Sequence, residues 1–503
     1  MTATDLNRTF RLLTYDALAS EAMSTLSTGV FLTGFALALG ASNFAIGLLA
    51  AVPFAVQFLQ FPGVILVERL RRRRAICTWS AGIGRCFLIV AALAPFVGGG
   101  SSVAILVASI AVYQAAAAVA GCAWNSWMRD LVPETEFGRF FGRRAAANTA
   151  MATALALAGG VLVDFLGRMT FAVPGTSYAG LFLVSAAIGF LGVRLLSITP
   201  DQPMPPATKH TPMLPLLIAP FRHRNFRRLM AFLASWNFAA NLASPFFAVY
   251  MLKSLDYPLR TVIVLSTASQ LSNIAAIGLW GSLSDRFSNK AVLRFAAPLF
   301  LLCTLAWSLT GLAWAKPITF YLLLGIHVLM GIAIAGVTLA TGNIAMKLSP
   351  AGQATSFLAA SGVVSASCAA VAPIVGGLCA DFFATHELTL AFTWRGGLQD
   401  VTVQVLNFHA WTFFFGIAFV LGLLALHQLS FVEEAAGTSS RLMMRDIMLE
   451  ARRSLRGLSS VAGLLRIARV PPWIGRPPRV KMERAGVARP NDAGDRSPSS
   501  LGS

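Results

Sequence analysis

The chain reads as an all-α membrane protein of twelve transmembrane helices in two pseudo-symmetric six-helix bundles, and three observations predict this. The first is an internal repeat of about 217 residues. Arg8-Thr-Phe10-Arg11-Leu-Leu13 returns as Arg224-Asn-Phe226-Arg227-Arg-Leu229, and Leu66-Val-Glu68-Arg69 as Leu283-Ser-Asp285-Arg286. Leu131-Val-Pro133 returns as Leu348-Ser-Pro350, and Gly159-Gly160-Val-Leu-Val-Asp164-Phe165 as Gly376-Gly377-Leu-Cys-Ala-Asp381-Phe382. The second is composition: 56% apolar and 12% charged residues, with a mean hydropathy of +0.68, make lipid the solvent for most of the chain. The third is run length, since the apolar segments exceed the ten or so residues of a barrel strand and are apolar on every face.

Taken in order, the spans fall near 13–40, 43–67, 75–97, 102–123, 145–167 and 178–198, then 229–252, 260–283, 291–315, 317–341, 354–383 and 408–431. Residues 1–198 thus form an N-terminal bundle and 223–431 a C-terminal one. Between them 199–222 carries Pro200, Pro203, Pro205, Pro206, Pro212 and Pro215, which suits a cytoplasmic linker without a helix of its own. The segment 432–503 is a basic tail, with 13 Lys or Arg against 7 Asp or Glu. Its stretch 441–469 interleaves apolar residues with arginines, as expected of an amphipathic helix on an anionic inner leaflet, and disorder is expected beyond Pro471.

Twelve spans place both ends on one side, and the connections on that side hold 20 Lys or Arg before the tail against five on the other. The positive-inside rule then puts both termini in the cytoplasm of a bacterial-type inner membrane. The net charge of +19 is accounted for by these loops and the tail, so no nucleic-acid partner is implied. The cysteines lie within spans and show no metal-ligand spacing, so neither metal nor cofactor is expected.

The loops carry a family resemblance. Gly281-Ser-Leu283-Ser-Asp285-Arg286-Phe-Ser-Asn-Lys290 resembles the G-x-L-x-D-R-x-x-x-[KR] signature of the major facilitator superfamily, and the segment from Gly63 through Glu68 and Arg69 to Arg74 is a degenerate copy. Pro133-Glu134-Thr-Glu-Phe-Gly138-Arg139-Phe-Phe-Gly142-Arg143-Arg144 is similar to the superfamily segment entering the fifth span, with Phe137 where an arginine is usual. The fourth span reads Tyr113-Gln114-Ala-Ala and lacks the arginine of many proton-coupled members. In the fifth span the drug-antiporter signature survives only as Gly159-Gly160; Ala372-Pro373-Ile-Val-Gly376-Gly377 retains more of it in the wrong half, and drug antiport is not supported.

Glu68, Arg69, Asp285, Arg286, Lys290, Arg139 and Arg143 are expected to form a cytoplasmic latch. A carboxylate at a helix end docks on the N-terminus of a helix in the other bundle while an arginine fork pairs with it. Glu68 is expected near residues 353–356 and Asp285 near 142–145. For Arg71 to Arg74 and the tail, anchoring at lipid phosphates is the simpler reading.

Ionisable groups within spans are costly and therefore functional candidates. Glu21 paired with Arg85 is the first choice for proton coupling, with Asp16 the substitute; a permanent structural bridge is the alternative. Asp164 and Asp381, after their double glycines, read as rim caps. The resemblance implies that spans 1, 4, 7 and 10 line a central cavity. Ser27, Thr28, Tyr113, Gln114, Trp236, Asn237, Asn241, Gln270, Asn273 and His327 are its polar and aromatic candidates, with His327 closer to a packing residue than a proton carrier. Little fixed charge beyond span 1 suits a neutral or amphipathic solute better than a polyanion.

These residues imply a monomeric secondary active transporter of a small organic solute, working by alternating access and coupled to protons. The alternative is a non-transporting membrane scaffold or assembly factor acting through its tail. An enzyme is not implied, because no carboxylate pair with a nucleophile, metal cluster or phosphate loop is present.

Overall fold

The computed structural model describes residues 3–98, 100–132, 134–169, 173–201, 219–311, 317–350, 354–386, 388–394, 401–408 and 410–434. Side chains are described at all of these except 3–7, 129, 134–139, 142–143, 354–355, 388–394, 401–408 and 410. Most of the expected linker, the tail from 435, the side chains of Arg139 and Arg143, and residues 351–353 lie outside that description.

The first span is two helices, α1 (Ala3–Ser27) and α2 (Gly29–Ala38). Thr28 between them is extended and Gly29 has φ +59°, a conformation that penalises a Cβ. The second is α3 (Asn43–Ala55), which passes Pro53 into a short 3₁₀ stretch and then α4 (Gln60–Leu70). There follow α5 (Arg73–Leu93), α6 (Gly100–Leu131), α7 (Glu134–Gly167) and α8 (Thr176–Ser197). The second half runs α9 (Arg224–Val249), α10 (Leu259–Arg286), α11 (Asn289–Ala306), α12 (Thr319–Leu348), α13 (Ala354–Phe383) and α14 (Ala410–Ser430).

Ten described helices are long and apolar enough to cross a membrane. The first and seventh spans fall short by composition, because α1 carries Arg8, Arg11, Asp16 and Glu21, and α9 carries Arg224, Arg227, Arg228, Asn237 and Asn241. Several helices run beyond the apolar stretch that marks them: α1 starts at Ala3 instead of 13, α6 continues to Leu131, and α7 starts at Glu134 instead of 145. Hydropathy reports only the lipid-immersed part of a helix, and Arg, Glu and Ala extend it into water at little cost. One element departs from the all-helical expectation. An antiparallel hairpin, β1 (Leu388–Trp394) with β2 (Val401–Phe408), precedes α14.

Small residues allow the closest helix contacts. A Cβ at Gly377 would lie 2.5 Å from the Asn43 carbonyl oxygen, and one at Gly47 would collide with that of Pro373, so α3 and α13 meet backbone to backbone. Large aromatics fill the second half instead: Trp307 stacks on Phe247 at 4.5 Å and Tyr250 hydrogen-bonds Thr310 at 3.0 Å.

At the helix ends far from the N-terminus, the two halves are tied by carboxylates. Asp381, at the end of α13, accepts from the backbone amides of Asn43 and Phe44 at 3.1 and 2.9 Å and from the Asn43 side chain at 2.9 Å. Asp164, at the end of α7, accepts from the amides of Leu259 and Arg260 at 3.2 and 3.0 Å. Each carboxylate satisfies first-turn N–H groups that have no partner within their own helix, and each meets the positive end of that helix dipole.

On the opposite face Arg73, 2% exposed, pairs with Asp130 and donates to the Ser126 carbonyl at 2.8 Å. Arg73 is thus a buried structural cation and departs from the lipid-anchor reading of Arg71 to Arg74, because the start of α5 packs against the end of α6. The repeat counterparts of Arg73 and Asp130 are Lys290 and Lys347, both cations, and the segment after α14 supplies the missing acid. Glu434 accepts from the Lys290 amide at 2.7 Å, the Asn289 side chain at 3.1 Å and Lys347 at 3.0 Å. Glu433 pairs with Arg228.

Candidate functional site

The helical extension of α7 creates the site. It carries Arg144 ten residues beyond Glu134, about 15 Å along the axis, whereas the sequence reading placed this arginine in a loop. There its guanidinium carbon sits 4.3 Å from the centre of the Trp124 ring, with Phe141 edge-on to the same indole. Asn148, one turn on, donates to Glu21 at 3.3 Å.

Asp16 is 2% exposed, at the centre of the charge cluster. It accepts a long hydrogen bond, 3.5 Å, from Ser20, and both Arg144 and Arg85 act on it electrostatically. Space for it comes from α8, where a Cβ at Gly192 would touch the Asp16 carboxylate at 3.4 Å and one at Gly189 would crowd the Arg85 stem at 2.9 Å. Arg85 is itself 6% exposed; it donates to the Ala81 carbonyl at 2.9 Å, and its Nε is buried without a hydrogen-bond partner. Tyr113, also buried, lies beside Ser27, whose hydroxyl donates to the Met23 carbonyl at 2.7 Å.

The pairing therefore differs from the expected one. Arg85 faces Asp16, while half-buried Glu21 meets Asn148 and the field of Arg144. Asp16 and Glu21 are five residues apart, about 140° around the helix, and spacing along α1 alone does not say which of the two faces Arg85. Arg144 was missed because a charge ended the apolar run. The retrospective signal is Ala145-Ala-Ala-Asn148 after it, a helix-favouring run with no cap between.

The cavity candidates divide. Ser27 and Tyr113 join the charge cluster, and Thr28 marks the α1–α2 break, its hydroxyl donating to Ser24 at 2.8 Å. Trp236 is 6% exposed and packs on Phe232 and Phe300. Asn237 and Asn241 donate one turn back to Leu233 and Asn237, both at 2.8 Å. Gln114 and Asn273 are half-buried and Gln270 is exposed. His327 is buried against Trp307 and bonded to the Leu323 carbonyl at 2.8 Å, as a packing residue would be.

Of the expected latch residues, the side chains of Arg139 and Arg143 lie outside the description. Asp285 is exposed, with no hydrogen bond or ion pair among the described residues, and Lys290 donates to the Ser430 carbonyl at 2.9 Å and, more closely, to that of Val432. Arg286 lies 5.4 Å from the Phe287 ring centre, and Glu68 and Arg69 are exposed on α4. Residue 353 and the side chains of 354–355, expected beside Glu68, are outside the description. Among the described residues no group of three or more His, Cys, Asp or Glu is placed to hold a metal ion.

No curated protein matches the chain. Several solved structures share its fold at identities too low to say more. A mutant form of the nucleoside transporter NupG superposes with a TM-score of 0.65 at 13% identity, covering 85% of this chain and 100% of that one. A bacterial homologue of the human lysosomal transporter Spinster, inward-facing and unoccupied, gives 0.57 at 16%, covering 91% and 99%. A bacterial homologue of the iron transporter ferroportin, inward-facing, gives 0.59 at 12%, covering 86% and 100%. The Major Facilitator Superfamily profile matches residues 17–373 and 229–475. Repeat, helices and profile agree, and this multi-pass membrane transporter belongs to the Major Facilitator Superfamily.

Proposed function

We propose that the chain moves a small organic solute across the cytoplasmic membrane by alternating access, with both termini in the cytoplasm and proton movement coupled through Asp16 and Glu21. The observation that supports this best is a buried Asp16 carboxylate in the field of both Arg85 and Arg144. A carboxylate in a dry interior is tolerable while a guanidinium compensates it and costly when that cation withdraws, so gain or loss of one proton changes which helix arrangement is favoured. α7 links this chemistry to the gate, since it carries Arg144 near one end and Asp164 at the other, where Asp164 caps α10. Protonating Asp16 or Glu21 weakens their electrostatic attraction for Arg144 and hence for the helix that clamps the far face.

The cargoes named for the similar structures, nucleosides and iron, differ from one another, and identities of 13% and 12% support the transport class without a solute. A thermal-shift screen of the purified protein against metabolites would find a ligand, because binding to the folded state raises the melting temperature. Proteoliposomes should then show saturable flux of that ligand, retained when residues 440–503 are deleted. Binding without flux would reject transport and favour the scaffold reading.

A further inference from the structure

We propose that Arg144, stacked on Trp124, is the anchor for the carboxylate of a monovalent organic anion, so that anion and proton bind together. This inference rests on the proton-coupling reading above and adds the substrate class.

Three observations carry it. The guanidinium lies 4.3 Å from the Trp124 ring centre, a posture that orients the fork while leaving its N–H edge available. Arg144 makes no hydrogen bond among the described residues, and its Nε is buried without a partner. A half-buried guanidinium with unspent donors is an unusual expense unless a ligand completes it. Moreover the cluster is confined to one half of the repeat: Thr341 and Ser361 stand where Trp124 and Arg144 would recur.

One fork fits one carboxylate, whereas a phosphate or dianion calls for additional cations. The groups facing the site from its neighbours are Asp16 and Glu21 on α1, Arg85 and Cys77 on α5 and Tyr113 on α6; α8 contributes Gly189 and Gly192. With both acids ionised, the charges of the two arginines are balanced and an incoming anion gains little net attraction. Protonation of Asp16 or Glu21 leaves the charge of Arg144 uncompensated, and the anion then balances it. Phe141 beside Trp124 offers an apolar wall for the rest of the molecule.

The test uses the purified full-length protein and two matched pairs, benzoate with benzamide and butyrate with butyramide. Each pair keeps shape and removes charge. The anions should raise the melting temperature and the amides should not, with apparent Kd for the anion at least tenfold lower at pH 5.5 than at pH 7.5. Arg144→Gln should abolish the anion effect, and Arg144→Lys, which keeps the charge and folding but loses the fork, should weaken binding about tenfold. Equal response to anion and amide, no response to either anion, or undiminished benzoate binding in Arg144→Lys and Arg144→Gln would overturn the proposal. Benzoate binding that requires Arg144 but ignores pH would support the anion site while rejecting proton coupling, so the two readings fail separately.

Discussion

Asp164 and Asp381 occupy equivalent places 217 residues apart, and each caps the first turn of a helix in the opposite half, α10 and α3 respectively. The far face is thus closed by two copies of one device, a carboxylate on a foreign helix dipole, reinforced where Gly160 and Gly377 let the helices touch.

Removing the charge from either clamp should favour opening of that face. Asp381→Asn keeps shape but leaves the Asn43 and Phe44 amides with a weaker acceptor, costing about 1 kcal/mol, or roughly a fivefold shift in population. Spin labels on the exposed positions Arg168 and Lys253, in a cysteine-free background, should report a larger fraction of long distances in Asp164→Asn and Asp381→Asn. Unchanged distance distributions in both variants would remove the clamp from the gating scheme.

Arg73 and Asp130 make a second prediction. Asp130→Ala removes the anionic partner of a guanidinium that is 1% exposed at its side chain and should cost about 3 kcal/mol of stability. The double variant Arg73→Met with Asp130→Leu should recover most of that loss in thermal unfolding. A mild effect of the single change would show that the other contacts of Arg73, the Ser126 carbonyl among them, suffice to hold it.

Glu434 predicts an acid-sensitive attachment of the segment after α14. Burial by itself favours its protonated form, but hydrogen bonds from the Lys290 amide, Lys347 and Asn289 outweigh this and hold the carboxyl below its ordinary value of 4.5. A depressed folded-state pKa contributes stability above that ordinary value, and the contribution is lost as pH falls through the folded pKa. Glu434→Gln should therefore lower the melting temperature at pH 7, with a difference from the parent that shrinks at the acid end. A difference independent of pH would point to shape instead of charge.

Much of this was legible in the residues. The repeat and the apolar runs gave the helices in order, and the aspartates after Gly159-Gly160 and Gly376-Gly377 read as rim caps, although not as bridges between halves. Arg144 was hidden because hydropathy stops at a charge while a helix does not. Arg73 was hidden among four consecutive arginines, since only the end of α6 distinguishes it by supplying Asp130. The Glu433-Glu434 attachment follows the last apolar run, where pattern no longer constrains position. The hairpin had a visible signal in the apolar and polar alternation of Leu388-Thr-Leu-Ala-Phe-Thr-Trp394 and Val401-Thr-Val-Gln-Val.

Coupling through Asp16 and Glu21 is tested most directly by comparing exchange with gradient-driven accumulation of the identified solute in proteoliposomes. Asp16→Asn and Glu21→Gln mimic the protonated state. Proton coupling predicts that the wild type accumulates solute under an imposed pH gradient and that at least one of the two variants loses accumulation while retaining counterflow at near wild-type rate. Full gradient-driven accumulation in both variants, and in the double variant, would contradict coupling at this cluster.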